Sequence, residues 1–287
     1  MRMGDVVGFV GLGDMGSALA FNLVAAGHHV ITHDIAGPTR SPDGARFVAD
    51  VDEVARGAVI VVLSLPDGGV SESVVHALVG ATDRSVRLVI DTSTVGLAAS
   101  ARIDRRLAEA GIAYVDAPVS GGTAGARART LAVMYAGSAD ACGDAETVLA
   151  GLSDRRIRVG DRPGLAQAMK LANNFLSATA LAATSEAIAF GTSVGLDMAT
   201  MLDVLNASSG QSAATSDKFV NHVLPGTYSS GFLNTLMAKD VRLYLEAADA
   251  AAVRADVADV TVDVWTRFAE QQPRADFTRI YPFTAKR

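Results

Sequence analysis

The stretch Val6-Val7-Gly8-Phe9-Val10-Gly11-Leu12-Gly13-Asp14-Met15-Gly16 decides the fold. Its first five residues are apolar and mostly β-branched, the composition of a buried strand. They run into a G-x-G-x-x-G turn that opens a helical pattern over Met15–Ala26. Each glycine has its own task in such a turn. Gly11 permits the tight bend, Gly13 lets backbone approach a pyrophosphate, and Gly16 lets the helix pack close to its strand. The helix start then offers unpaired N–H groups to the phosphates. Gly11, Leu12, Gly13, Asp14, Met15 and Gly16 are therefore candidate cofactor-binding residues. In a chain with 27 glycines the hexapeptide alone is a weak signal, and a purely structural glycine turn is the alternative. The flanking strand and helix, with a second strand behind them, favour a dinucleotide.

That second strand, Val30–His33, ends at Asp34, eighteen residues past Gly16, close to the place of a ribose-binding acid in this arrangement. A carboxylate there accepts bonds from ribose hydroxyls and repels a 2′-phosphate. The next residue is Ile35 rather than an arginine that would hold such a phosphate. The cofactor read from this is NAD. NADP is the alternative, since Arg40 lies on the following loop, and a plain turn-capping role is the alternative for Asp34 itself.

Beyond this unit, apolar runs at Val59–Leu63, Leu88–Ile90 and Ile112–Val115 alternate with helical patterns at Gly69–Val79 and Ala98–Glu109. Strands separated by helices of ten to fifteen residues predict βαβ units and a parallel sheet. Two further strands, near Leu131–Tyr135 and Arg156–Val159, flank a helix around Ala139–Leu149. After Gly160 the pattern changes. Pro163 is placed to open a helix, and from Leu165 to about Ser193 only Gly191 interrupts it. Such a helix spans roughly 40–45 Å, long for one small domain, so it reads as a bridge and as the backbone of a second domain. Met198–Ala269 is helical in pattern, and Pro273–Arg287 reads as irregular. The predicted fold class is α/β: a Rossmann-type dinucleotide-binding domain over residues 1–162, joined by the long helix to an all-α domain, 163–287, for substrate binding and dimerisation.

Composition agrees with two domains, since 287 residues at ~150 per domain gives about two. A net charge of −6, a pI near 5.3 and no dense Lys/Arg stripe argue against nucleic acid or a membrane surface as partner. The chain is 49% apolar with mean hydropathy +0.27, yet has no apolar run long enough to span a bilayer. A lone cysteine, Cys142, makes no internal disulfide, which fits a cytoplasmic protein. The histidines, His28, His29, His33, His76 and His222, form no metal-ligating pattern, and no G-x-S-x-G elbow is present. Metal catalysis and serine hydrolysis are therefore disfavoured. Of 25 basic residues only Lys170, Lys218, Lys239 and Lys286 are lysines. Where arginine is the default cation, an internal lysine suggests a proton that must come off.

With these motifs in place, Gly8-Phe9-Val10-Gly11-Leu12-Gly13-Asp14-Met15-Gly16 and Asn22-Leu23 resemble the opening signature of the β-hydroxyacid dehydrogenases, typified by 3-hydroxyisobutyrate dehydrogenase. Further landmarks of that family follow in order along nearly the whole chain. They are Leu65-Pro66, Asp91-Thr92-Ser93-Thr94, Asp116-Ala117-Pro118-Val119-Ser120-Gly121-Gly122, Lys170-Leu171-Ala172-Asn173-Asn174, and Phe232 with Lys239-Asp240. The resemblance implies that Leu65 and Pro66 contact the adenosine side of the cofactor and Thr94 the nicotinamide ribose. Strand-ending and helix-capping roles are the alternatives. Ser120, Gly121 and Gly122 offer a hydroxyl and side-chain-free backbone, suited to a substrate carboxylate. The resemblance also implies that Lys239 lies near the cofactor and Phe232 near the substrate, a surface ion pair being the alternative for Lys239.

Lys170 is the centre of the reading. Oxidising a hydroxyl to a carbonyl requires removing its proton as hydride leaves, and a lysine does this if burial and nearby positive charge lower its pKa. Arginine stays protonated and cannot. Asn174, one helical turn on, is placed to fix the lysine or the substrate hydroxyl. The alternative is a lysine snorkelling at a domain interface. The predicted reaction is hydride transfer between NAD(P) and a small 3-hydroxy acid or its semialdehyde. Tartronate semialdehyde, threonate or a hydroxy amino acid are substrate alternatives. Asn173 stands where decarboxylating 6-phosphogluconate enzymes carry histidine, and Lys170 where imine reductases carry another residue. A cofactor-binding scaffold without turnover is the reading from another class. Three departures from the family pattern stand out: Ala166, in Gly164-Leu165-Ala166, and Arg129, each where glycine is usual, and Ala213 where some members carry tryptophan. A homodimer or homotetramer is expected, since relatives associate through the helical domain.

Overall fold

The computed structural model describes residues 6–285. β1 (Val7–Val10) is buried along its length and pairs in parallel with β2 (Val30–His33) on one side and β4 (Ile60–Leu63) on the other. Parallel strands covered on both faces read as continuous apolar runs, and Val-Gly-Phe-Val and Ile-Val-Val-Leu do so here. α1 (Asp14–Ala25) leaves the glycine turn directly. β5 (Leu88–Asp91) and β6 (Ala113–Asp116) continue the parallel sheet, with α3 (Gly68–Gly80) and α4 (Leu97–Glu109) as crossovers. The short β3 (Arg46–Phe47) lies beyond β2. The order β3-β2-β1-β4-β5-β6 reverses its winding between β1 and β4, the place where open α/β sheets bind ligands.

The predicted elements lie where the apolar periodicity puts them, with ends shifted by a few residues. The long helix α7 (Leu165–Ser193) has the predicted bounds. β3, α2 (Val51–Gly57), β7 (Val119–Ser120) and α5 (Gly122–Arg127) go beyond the prediction. All are short, and brief runs carry little periodicity. The sheet is also not wholly parallel. β6 and β7 both pair antiparallel with β8 (Ala132–Ala136), while β9 (Arg155–Gly160) returns parallel to β8 after α6 (Ala139–Leu152). A parallel crossover takes a dozen or more residues. The link from β7 to β8, a six-residue helix and a turn, is short for one.

By Cα proximity the chain forms two compact units, residues 1–170 and 171–287. The first is the α/β unit, with one core on each face of the sheet: Phe9, Leu19 and Leu149 on one, Val61, Leu78 and Ile103 on the other. The second is helical. Beyond α7 it contains α8 (Met198–Asn206), a π-helical segment Ala214–Val223, α9 (Asn234–Ala250) and α10 (Asp256–Gln271). They pack around Trp265, whose indole N–H donates to the Ala178 carbonyl. The tail is ordered where irregular chain was predicted. A 3₁₀ turn, Phe277–Arg279, leads into α11 (Ile280–Thr284), because Phe277 and Ile280 bury themselves in this core. Among the described residues no helix is long and apolar enough to cross a membrane, and no cluster of His, Cys, Asp and Glu is placed to hold a metal ion.

Candidate active site

The glycine turn has the geometry its spacing predicts. Gly11 has φ +98°, and a Cβ there would strike the Ser64 carbonyl at the end of β4. A Cβ on Gly16 would strike the Gly11 carbonyl, so helix and turn approach as closely as they do only without side chains. Gly13 faces open space: a Cβ there would meet no other part of the chain within 4 Å, and no side chain caps the start of α1. Bare backbone facing open space beside uncapped amides fits a dinucleotide pyrophosphate. Asp14 is exposed and its Oδ1 accepts from the Arg40 guanidinium at 2.7 Å. Leu12 is buried and Met15 packs against the core. Asp34 is half-buried at the end of β2. Its Oδ2 accepts the Leu12 amide at 2.5 Å and its Oδ1 the Ala36 amide at 2.7 Å. The aspartate thus ties the second strand to the glycine turn and also caps the turn after it, leaving lone pairs for a ribose hydroxyl.

Three strand ends are laced together next to it. The Leu65 amide donates to Ser93 Oγ at 2.8 Å, which joins the loop after β4 to the loop after β5; Pro66 is exposed just beyond. Ser93 N donates to Asp91 Oδ1 at 2.9 Å. Thr94 is half-buried. The capping position at the start of α4 is Gly96, which has no side chain for the role. Gln167, in the first turn of α7, fills it instead. Its Oε1 accepts from Val95 and Gly96 at 2.9 and 3.1 Å, and its Nε2 donates to the Ser93 carbonyl at 3.0 Å. The Gln167 amide donates to Asp116 Oδ2 at 2.8 Å, so the end of β6 joins the same network. Asp116 is fully buried, and burial pushes its carboxyl up to about 7 against the opposing pull of backbone amides, with the nearby Asp91 adding to the rise. Three residues after Gln167, Lys170 is buried, with 7% of its surface exposed.

Ser120, half-buried, ends β7. Gly121 and Gly122 follow with φ of +134° and +67°, a pair of positive-φ residues that only glycine adopts without strain. Arg129 occupies the left-handed region too, at φ +59°. Its guanidinium compensates by donating to the carbonyls of Gly151 and Ala150, at 2.7 and 2.8 Å, at the end of α6.

In the second unit, Asn174 is buried with its amide fixed at both ends. Its Nδ2 donates to Asp240 Oδ2 at 2.5 Å, and its Oδ1 accepts from Asn173 at 3.0 Å. Lys239 Nζ lies 3.2 Å from Asp240 Oδ1, whose carboxylate is 3% exposed. Asn174 and Lys239 therefore meet at one buried carboxylate rather than at a surface pair. Phe232 is half-buried and held by the C-terminal segment instead. Its ring packs edge-to-face on Phe277 at 5.5 Å between centroids, and its carbonyl accepts the Phe277 amide at 2.8 Å. Sequence reasoning missed Gln167 and Asp240 as site components. Their signals were a lone amide among Ala and Met ahead of Lys170, and an acid directly after Lys239.

Residues 6–160 match the family model for the NAD binding domain of 6-phosphogluconate dehydrogenase. Residues 164–284 match that for the NAD-binding of NADP-dependent 3-hydroxyisobutyrate dehydrogenase. The chain is 34% identical to 2-(hydroxymethyl)glutarate dehydrogenase of Eubacterium barkeri over 84% of its own length and 81% of the relative's. It is 32% identical to a probable 3-hydroxyisobutyrate dehydrogenase of Mycobacterium tuberculosis, over 96% of both chains. Among solved structures, 3-hydroxyisobutyrate dehydrogenase of Mycobacterium tuberculosis with L-serine superposes with a TM-score of 0.89 at 28% identity, covering 98% of this chain and 99% of that one.

Proposed function

The chain belongs to the β-hydroxyacid dehydrogenase family of NAD(P)-dependent oxidoreductases, and on that premise we propose that it interconverts a small 3-hydroxy acid and its semialdehyde with Lys170 as general acid/base. The carrying observation is a lysine that is 7% exposed, on a helix whose first turn is tied to the carboxyl ends of β5 and β6. Removing a lysine from water favours its neutral form, the form that accepts a proton. Gly11, Leu12, Gly13, Asp14, Met15, Gly16 and Asp34, with Leu65, Pro66, Thr94 and Lys239, would hold the dinucleotide. When bound it supplies the two-electron acceptor for oxidation or the donor for reduction. As the substrate C–H bond breaks, the Lys170 amine takes the hydroxyl proton and the C–O bond becomes a carbonyl; reduction returns that proton from the ammonium. The Ser120 hydroxyl and the bare backbone of Gly121-Gly122 receive the substrate carboxylate, Phe232 lines its apolar side, and Asn174 orients its hydroxyl. Asp34 favours NAD over NADP.

The names of the relatives narrow the substrate class. 3-Hydroxyisobutyrate, 2-(hydroxymethyl)glutarate and L-serine all contain a CH₂OH group on the carbon bearing a carboxylate, and they differ in that carbon's remaining substituents. A 2-substituted 3-hydroxypropanoate is the class we assign. Ala213 is exposed, and its small side chain, where some family members carry tryptophan, would leave room for more than a methyl group. The exposed apolar residues Leu176 and Phe190 on α7 support association into a dimer or tetramer. Absorbance at 340 nm across hydroxy acids, hydroxy amino acids and cyclic imines tests the substrate class. Lys170→Ala tests the base: turnover is lost while NAD still binds, and full activity in that variant overturns the assignment.

A further inference from the structure

Gln167 is wholly buried, and its side chain bonds the backbone on both sides of a single residue, Thr94. It donates to the carbonyl before Thr94, at Ser93, and accepts the amide after it, at Val95, together with that of Gly96. Its own backbone amide is anchored on Asp116 at 2.8 Å. A glutamine supplies one oxygen that accepts twice and one nitrogen that donates, and no other side chain of that length offers both without charge. These bonds exceed what capping α4 requires, because a cap satisfies amides and has no use for the Ser93 carbonyl.

We propose that Gln167 is a positioning residue for the reaction, fixing Thr94 at a set distance from Lys170 three residues along the same helix. The inference rests on the proposed general-base role of Lys170 and adds a claim about geometry that role does not contain. Gln167 lies in the first turn of α7 with Lys170 three residues on, so a side chain that grips the loop after β5 couples that loop to the position of the helix. Thr94 and Lys170 then approach the reacting centre as one body. Hydride and proton transfer depend steeply on such spacing. Loosening the grip therefore slows the chemical step more than it weakens binding.

Gln167→Met keeps the length and removes every polar atom. Without cofactor, hydrogen exchange at the Val95 and Gly96 amides should speed up at least tenfold while the β5 amides stay protected. With NAD and whichever of 3-hydroxyisobutyrate, L-serine and 2-(hydroxymethyl)glutarate the wild type turns over fastest, kcat should fall at least tenfold and KM for NAD should move less than threefold. The primary deuterium isotope effect on kcat should rise, because hydride transfer becomes slower than product release. A merely structural role lowers the folded fraction and leaves the isotope effect where it was. If Gln167→Met does not fold, Gln167→Glu, which keeps an acceptor for both amides but loses the donor to the Ser93 carbonyl, carries the kinetic measurements. Unchanged exchange at Val95 and Gly96 in Gln167→Met, or a kcat within twofold of wild type in the variant that folds, overturns the inference alone. A wild-type chain that turns over none of the three acids overturns the functional reading and this inference with it.

Discussion

Asp91 and Asp116 are register partners at the carboxyl ends of β5 and β6, and both are fully buried. Two adjacent carboxyls out of water cannot both ionise cheaply. Burial raises the Asp116 carboxyl from 3.8 to about 7, and Asp91 beside it adds to the rise. A raised acid means the folded chain binds a proton that the unfolded chain has already released. Stability from this group is therefore complete below the unfolded value, falls as pH rises toward about 7, and is flat above it. A rise of that size corresponds to about 4 kcal/mol. Asp116→Asn keeps an acceptor for the Gln167 amide and cannot ionise. The variant should be more stable than wild type at pH 8, with the gap closing as pH is lowered to 4. Urea unfolding of both proteins at several pH values measures it, and a gap independent of pH refutes the shift.

Arg129 keeps a left-handed backbone for which glycine is better suited, and its guanidinium bonds to α6 stand against that cost. Removing the side chain beyond Cβ should lose the bonds and keep the strain, so Arg129→Ala destabilises by about 2 kcal/mol. Arg129→Gly loses the same bonds but relieves the backbone, and should be milder than the alanine variant by roughly 1 kcal/mol. Thermal unfolding of the two variants ranks them, and alanine above glycine contradicts this account.

Much of the fold is legible in the sequence because it rests on local rules. The strand into Gly11, the glycine spacing and the uninterrupted apolar run of α7 each specify their structure within a short stretch of chain. Gln167 was not legible, because its partners Ser93, Val95 and Gly96 are distant in sequence and are backbone groups, which carry no residue signature. The antiparallel pairing of the predicted strand β8 and the ordered tail were missed for a related reason. Both are decided by tertiary pairing, of Val119 with Val133 and of Phe277 with the Trp265 core, rather than by a period in the chain.

Asp34 holds the Leu12 amide with one oxygen and the Ala36 amide with the other, so it is fixed in place as a negative charge beside the glycine turn. On the proposed reading that charge repels a 2′-phosphate. Asp34→Ser should lower the preference for NAD over NADP in kcat/KM by at least tenfold. Arg40 is now paired with Asp14, both well exposed. Adding Asp14→Ala releases the guanidinium and should move the preference further. Steady-state kinetics with both cofactors decides it, and an unchanged ratio in the single variant removes Asp34 from the ribose site.

Lys170→Arg retains positive charge and most of the length but not the chemistry. Guanidinium stays protonated at any pH an enzyme tolerates, so it cannot take a hydroxyl proton. The variant should be no more active than Lys170→Ala, with at least a thousandfold loss in kcat, on the order of 4 kcal/mol of barrier. Stopped assays with the preferred hydroxy acid measure it. Arginine activity within tenfold of wild type would assign Lys170 an electrostatic role in place of proton transfer.

Asp240 receives Asn174 on one oxygen and faces Lys239 with the other, all within the helical unit. A buried carboxylate held this way fixes the Asn174 amide so that its nitrogen points at the acid, with its oxygen taken by Asn173. Asp240→Asn removes the charge and turns a charge-assisted bond into a neutral one, while presenting an NH₂ that competes with Lys239 for acceptors. Stability should fall by roughly 1–3 kcal/mol, the cost of a weakened buried bond. If Asn174 orients the substrate hydroxyl, kcat/KM for the hydroxy acid should drop further than the folded fraction explains, while the affinity for NAD changes little. Measuring both on protein kept well below its Tm separates the two effects. A stability loss with intact kcat/KM would make the Asn174–Asp240 pair a structural clasp and would leave Lys170 to act without it.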